Sequence, residues 1–63
     1  MSSVPITLRR AVMKRAGGRC EYCLMPQSVS AFEHEPDHII PIQHGGKTEA
    51  NNLALACLRC NRR

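Results

Sequence analysis

The chain has 63 residues, the length of one small domain, and at this size a hydrophobic core is usually supplemented by a metal ion or disulfides. No apolar run approaches the length of a membrane span, and the start of the chain lacks the apolar core of a signal peptide. We therefore expect an intracellular, cytoplasmic protein without a membrane partner. Nine Lys and Arg against five Asp and Glu give a formal net charge of +4, which suits either a polyanionic partner or a solvated surface.

The first predicted element is a short helix over residues 8–16, with Thr7 as its N-cap and Gly17 at its end. Its apolar stripe includes Val12 and should pack inward. That packing leaves Arg9, Arg10 and Lys14 largely to solvent or to phosphate, whereas Arg15 falls near the inward face. The basic residues before the first cysteine are Arg9, Arg10, Lys14, Arg15 and Arg19.

The four cysteines form two Cys-x-x-Cys pairs, which are Cys20 with Cys23 and Cys57 with Cys60. This spacing favours a tetrahedral zinc site over disulfides, because a bridge within one pair would close a loop too short to restrain much. A reducing compartment also keeps thiols available for a metal ion. We predict a structural Zn²⁺ held by all four sulfurs.

Further elements are predicted after the first cysteine pair. In chain order they are an irregular connection at residues 25–31, a strand at 32–40, a glycine-containing loop at 43–47, a helical turn starting at Thr48, a strand at Leu53–Ala56 and a helix from Leu58 onward. Pro36 interrupts the first strand, which should therefore be an edge or bulged strand. Cys20 to Cys23 is predicted to form a zinc knuckle, a tight turn around the metal ion. The predicted order is therefore helix, knuckle, strand, loop, strand and helix.

The segment between the cysteine pairs carries a second motif: Asp37-His38-Ile39-Ile40-Pro41, then Gly45-Gly46 and Asn52-Leu53, with Asn61 directly after the last cysteine. In order and spacing, residues 19–63 resemble the four-cysteine, McrA-like branch of the HNH endonuclease family. The resemblance implies an α+β fold, a small ββα-metal (His-Me finger) domain with an N-terminal helix and a structural zinc site formed by the four cysteines. We expect a basic N-terminal helical segment at residues 1–18 and an HNH nuclease domain at residues 19–63, truncated at its C-terminal helix relative to the family.

The resemblance also implies catalytic roles. His38 would be the general base that activates water, and Asn52 would orient it. Asp37 and Asn61 would hold a catalytic divalent ion, Mg²⁺, Mn²⁺ or another ion that prefers oxygen ligands. That ion would stabilise the phosphorane and the departing 3′ oxygen. His34 and His44 gain no such support from neighbouring motif residues.

The implied function is metal-dependent hydrolysis of DNA phosphodiester bonds. Contacts with DNA are predicted for Arg9, Arg10, Lys14, Arg15, Lys47, Arg59, Arg62 and Arg63. Members of the family also act as modules of larger proteins or as dimers, so the expected partners besides DNA are further domains or a homodimer. The alternative is a non-catalytic, zinc-stabilised module that binds DNA or protein, in which Asp37 and Asn52 would be turn residues and Asn61 a polar helix residue.

Overall fold

The computed structural model describes residues 4–62 and gives an α+β order of elements. The elements are helix α1 (Ile6–Ala16), strands β1 (Glu35–His38) and β2 (Leu53–Ala56), helix α2 (Leu58–Asn61), and 3-10 turns at Gln27–Val29, Ile42–His44 and Ala50–Asn52. This order confirms the predicted fold class. Residues 1–3, which belong to the predicted N-terminal segment, and Arg63, a predicted DNA contact, lie outside the described residues.

Helix α1 starts earlier than predicted. It begins at Ile6 after Pro5, whose φ of −58° already suits a helix. The prediction that Thr7 is the N-cap is therefore wrong, since Thr7 lies within the helix. The predicted end is confirmed: Gly17 adopts a left-handed φ of 64°, and the N–H groups of Gly17 and Gly18 bond carbonyls of the last turn in a Schellman arrangement.

Strands β1 and β2 pair antiparallel in a continuous register. The pairs are Glu35 with Ala56, Pro36 with Leu55, Asp37 with Ala54, and His38 with Leu53. In the described part of the chain the sheet has two strands, so β1 is an edge strand as predicted, but it carries no bulge at Pro36. It is also shorter than the predicted span of residues 32–40, since it begins at Glu35 and ends at His38. It ends early because the N–H of Ile40 donates to the side chain of Asn52 and not to β2.

The register assigns neighbouring residues of β1 to different faces of the sheet, since side chains alternate along a strand. His38 lies opposite Leu53, while Asp37 lies opposite Ala54. Directly opposed residues share a face. His38 is therefore on the face of Leu53, and Asp37 is on the other face.

The hydrophobic core joins α1 to the sheet. Val12 of α1 packs with Leu53 and Leu55 of β2, and all three side chains are buried. The partly buried side chains around this cluster are Val4, Leu8, Met13 and Ala16. The prediction that Val12 faces inward is confirmed. Within residues 4–62, no helix is long and apolar enough to span a membrane.

A charged clamp connects α1, the first cysteine knuckle and β2. The guanidinium of Arg15 donates to both carboxylate oxygens of Glu21, at 2.6 and 3.1 Å, and to the carbonyls of Ala50 and Leu53. The same carboxylate accepts the N–H of Leu55 at 2.8 Å, and the N–H of Glu21 donates to the Leu55 carbonyl. Burial raises the pKa of Glu21, but the hydrogen bonds from Arg15 and Leu55 outweigh it, so the pKa lies below its ordinary value.

The clamp predicts a pH-dependent loss of stability in Glu21→Gln. At neutral pH and fixed free Zn²⁺, we expect the free energy of unfolding in urea to fall by about 1 kcal/mol, because the charge that pairs with Arg15 is lost. The loss stays this small because the side chain of Arg15 is partly exposed and solvent weakens the ion pair. A lowered carboxyl pKa contributes stability above the ordinary pKa, and this contribution disappears as pH falls through the lowered value. The difference from wild type should therefore shrink in acid.

The matched control for this prediction is Glu49→Gln, which removes the same charge from an exposed side chain that forms no ion pair within residues 4–62. It should change the unfolding free energy by less than about 0.5 kcal/mol. Equal stabilities of the two variants at neutral pH would contradict the clamp.

Candidate metal centre and active site

The four cysteine sulfurs converge at one point. The Sγ atoms of Cys20, Cys23, Cys57 and Cys60 all lie within 4.8 Å of one another, and none of the four forms a disulfide. Cys23 Sγ and Cys57 Sγ are 3.6 Å apart. Tetrahedral zinc with Zn–S bonds of about 2.3 Å requires sulfurs roughly 3.8 Å apart. The donor set and its spacing therefore fit a closed structural zinc site, as the sequence predicted.

Local backbone geometry positions the cysteines. In the first knuckle the chain reverses through Leu24, whose φ of 68° is left-handed, and the N–H of Cys23 points at Cys20 Sγ at 3.5 Å. In the second pair, Cys57 is the N-cap of α2 and Cys60 lies within that helix. A bound ion would therefore tie the first knuckle to the start of α2.

The surroundings shift the pKa values of three of the thiols in different directions. Burial of Cys20 opposes its ionisation, but N–H groups of Cys23, Cys57 and Tyr22 outweigh it and lower the pKa of Cys20 to about 6. The backbone N–H of Cys60 likewise lowers the pKa of Cys57. A hydrogen bond with Cys57 is the main cause that raises the pKa of Cys60 to about 12. Negative charge thus collects where a cation would sit, and an incoming ion would displace the proton of Cys60.

His34 supports the first knuckle and lies outside the metal-binding cluster. Its side chain is completely buried, and its Nε2 lies 2.8 Å from the carbonyl of Met25, which also accepts the N–H of Cys20. Its Nδ1 is buried and has no hydrogen-bond partner among residues 4–62. Between residues 4 and 62, the four cysteines are the one group of His, Cys, Asp and Glu side chains with metal-binding geometry.

The predicted base, His38, is the last residue of β1 and is partly buried. Its Nε2 lies 2.9 Å from Thr48 Oγ1, across the loop that joins the strands. Asp37 precedes it on the opposite face of the strand and is also partly buried. The sheet thus separates the predicted metal ligand from the predicted base.

Asn52 holds the loop that leads to Thr48. Its side chain is buried, its carbonyl oxygen accepts the N–H of Ile40 at 2.9 Å, and its amide donates to the carbonyls of Ile40 and Lys47 at 3.1 and 2.9 Å. The side chain therefore bonds to the loop backbone on both sides and not to His38. That Asn52 orients the histidine stays a prediction. Asn52 could do so only indirectly, by holding the backbone next to Thr48, whose hydroxyl contacts His38.

Gly46 allows this loop to close. A Cβ atom there would lie 2.6 Å from the backbone carbon of Ile40 and 2.9 Å from Asn52 Nδ2, which is closer than real Cβ contacts. The N–H of Gly46 donates to the carbonyl of Pro41 at 2.9 Å. The close approach of two backbone segments therefore requires glycine at this position.

Asn61 is the last residue of α2, and its side chain is exposed. Helix α2 contacts both strands, including the strand that carries Asp37. Asn61 also follows Cys60 directly, so a metal ion bound by the cysteines would fix its backbone. That Asp37 and Asn61 share a divalent ion stays a prediction.

Two of the predicted DNA-contacting residues have acidic partners within the chain. Arg9 pairs with Glu35 at 2.8 Å and with Glu33 at 3.6 Å, and the hydrogen bond with Glu35 is the main cause of its raised pKa. Arg15 belongs to the clamp with Glu21. Five other predicted contacts are exposed and form no side-chain hydrogen bond or ion pair in the described part of the chain. These are Arg10, Lys14, Lys47, Arg59 and Arg62.

Two contacts were not predicted from the sequence: Thr48 as the partner of His38, and Glu21 as a bridge between elements. The sequence predicts a helical turn that starts at Thr48, and in the structure the turn spans Ala50–Asn52. Thr48 follows the Gly45-Gly46 pair by two residues, and a hydroxyl there only weakly indicates a contact with a histidine, because that contact depends on how the loop closes. Glu21 inside a knuckle gives no signal, since its partners are backbone groups of a distant strand.

Comparison with protein families identifies the chain. The model of the HNH endonuclease family matches residues 20–63, and the chain belongs to that family. With the antiparallel strands and the four-cysteine cluster, the match confirms the predicted ββα-metal HNH domain and supports a nuclease-type function at the level of the family. Searches of curated proteins and of solved structures found no match.

Proposed function

We propose that this chain is a metal-dependent endonuclease that hydrolyses DNA phosphodiester bonds and leaves 5′-phosphate and 3′-hydroxyl ends. The observation that carries the proposal is the placement of His38. In a chain of the HNH family, this histidine ends β1 with one ring nitrogen beside Thr48. Its other ring nitrogen, Nδ1, forms no hydrogen bond within residues 4–62. A neutral imidazole in this position accepts the proton of a water molecule as that water attacks phosphorus.

Asp37 and Asn61 offer the oxygen donors that a hard divalent ion prefers, so their chemistry fits Mg²⁺ or Mn²⁺. When bound, such an ion neutralises charge on the phosphorane and stabilises the departing 3′ oxygen. Asp37 projects from the face of β1 opposite to that of His38. This separation suits attack by water on one side of the phosphorus and departure of the leaving group on the other.

Substrate binding is assigned to the exposed basic residues without intramolecular partners. They lie on α1, in the loop after Gly46, and on or beside α2 as Arg10, Lys14, Lys47, Arg59 and Arg62. Each phosphate neutralised by such a side chain releases counterions, so binding should weaken steeply as salt increases. Arg9 and Arg15 would have to give up their carboxylate partners to contribute, and we omit them from the proposed interface.

Plasmid nicking by the zinc-loaded protein tests the proposal directly. Supercoiled DNA should be nicked with Mg²⁺ or Mn²⁺ and remain intact with EDTA added briefly before the substrate. Asp37→Asn should lose most of this metal-dependent nicking, whereas Glu33→Gln, which removes the same charge from an exposed side chain near β1, should keep it. Cleavage that needs no added ion, or that survives in Asp37→Asn, would contradict the proposed ion site.

A second candidate is a non-catalytic zinc module that binds DNA or protein. One observation favours it: the side chain of Asn61 is exposed and forms no hydrogen bond with Asp37 within residues 4–62. In that case calorimetry of the zinc-loaded protein would detect DNA binding but no binding of Mn²⁺. Binding of Mn²⁺ to the wild type and its loss in Asp37→Asn would exclude this candidate.

A further inference from the structure

We propose that Thr48 is a positioning residue that fixes the tautomer of His38. Thr48 Oγ1 would accept a hydrogen bond from Nε2–H, so that the lone pair of Nδ1 stays free. The two atoms are 2.9 Å apart. A neutral imidazole carries one ring proton, and the partner of one nitrogen decides which nitrogen is left unprotonated. That Nδ1 then takes the proton of water rests on the proposed function.

The exposure of Thr48 permits the polarity that a free Nδ1 requires. A hydroxyl can donate or accept, and the exposed hydroxyl of Thr48 can give its own hydrogen to solvent while its oxygen accepts from Nε2. With the opposite polarity, Nδ1 would carry the proton and the Nε2 lone pair would be occupied by Thr48. His38 would then have no free acceptor. Only the first arrangement leaves a base.

The loop is built to hold Thr48 in place. The buried amide of Asn52 donates to the carbonyl of Lys47, the residue directly before Thr48. Asn52 also directly precedes Leu53, which pairs with His38 across the sheet. Asn52 therefore helps to position both partners of the contact. Its side chain holds the backbone before Thr48, and its own backbone leads into the strand that pairs with His38. Gly46 adds to this, because its lack of a Cβ lets the loop close against Ile40.

The test measures the tautomer itself, by two-bond ¹⁵N–¹H correlation NMR of the zinc-loaded protein without DNA or a second metal ion. The wild type and Thr48→Ser should have His38 protonated on Nε2. Thr48→Val, which replaces the hydroxyl with a methyl group, should shift His38 toward a mixture of tautomers. The control is Thr7→Val, the same change at an exposed residue within α1, and it should match the wild type.

Nicking rates supply an independent readout. Thr48→Val should lower kcat by roughly three- to tenfold with KM unchanged, the effect of one lost hydrogen bond, and Thr48→Ser should restore it. An unchanged amide resonance of Ile40, which donates to Asn52, establishes that the loop is intact in each variant. A wild type protonated on Nδ1, or a Thr48→Val variant with the wild-type tautomer, would overturn the positioning role. A tautomer shift in a protein that does not nick DNA would support that role while overturning the proposed function.

Discussion

Removal of the metal ion is expected to unfold the whole chain. Among residues 4–62 the buried apolar core centres on Val12, Leu53 and Leu55, and a domain of this size depends on additional restraint. A structural zinc site contributes about 10 kcal/mol or more in small zinc domains at neutral pH. Chelation should therefore abolish the circular dichroism of α1 and the cooperative thermal transition together, and added Zn²⁺ should restore both.

Two variants separate the role of the ion from that of ordinary packing. Cys57→Ser removes a ligand and should leave the chain unfolded at all practical zinc concentrations. Val12→Ala only trims the core, so its melting temperature should fall but still rise with added Zn²⁺, as expected for a ligand that binds the folded state. A metal-free wild type that keeps its thermal transition would contradict the zinc assignment.

Replacing His38 with alanine is expected to eliminate most DNA cleavage. A positioned general base contributes about 10² to 10⁴-fold to a hydrolytic rate, and His38 is the predicted base whose Nε2 contacts Thr48. The loss should fall on kcat, while DNA affinity and zinc content stay close to wild type. Both can be measured on the same preparation, by fluorescence anisotropy and by metal analysis.

The matched control is His44→Ala, at an exposed position in the loop between the strands. It removes the same ring from the same region and should retain wild-type nicking. Equal cleavage by His38→Ala and the wild type would overturn the assignment of the base. A loss of the same size in both variants would instead indicate damage to the loop.

Much of the architecture was predictable because it depends on local signals. The cysteine spacing predicted the convergence of sulfurs, and the glycine at position 17 predicted where α1 ends. The apolar run Leu53–Ala56 was predicted with the bounds that the structure has. In each case one short stretch of sequence contains both the signal and its physical cause.

The remaining features depend on contacts between distant segments. The early end of β1 follows from a hydrogen bond between Ile40 and Asn52, which a strand pattern does not contain. The guanidinium of Arg15 is held against the domain by hydrogen bonds to Glu21 and to the carbonyls of Ala50 and Leu53. The position of Arg15 near the inward face of the helix was predictable from the helical period, but its partners were not, because they are distant in the chain. The contact between Thr48 and His38 likewise forms only after the loop has closed.

Because α1 packs against β2, the smallest fragment that folds by itself should begin before the first cysteine. The family match starts at residue 20, at the first cysteine. A fragment cut there would expose Leu53 and Leu55 to water and leave the carboxylate of Glu21 without Arg15. Grafts of this nuclease fold into other proteins should therefore carry α1, and in longer homologues the residues before the first cysteine should covary with β2 and with the residue at position 21.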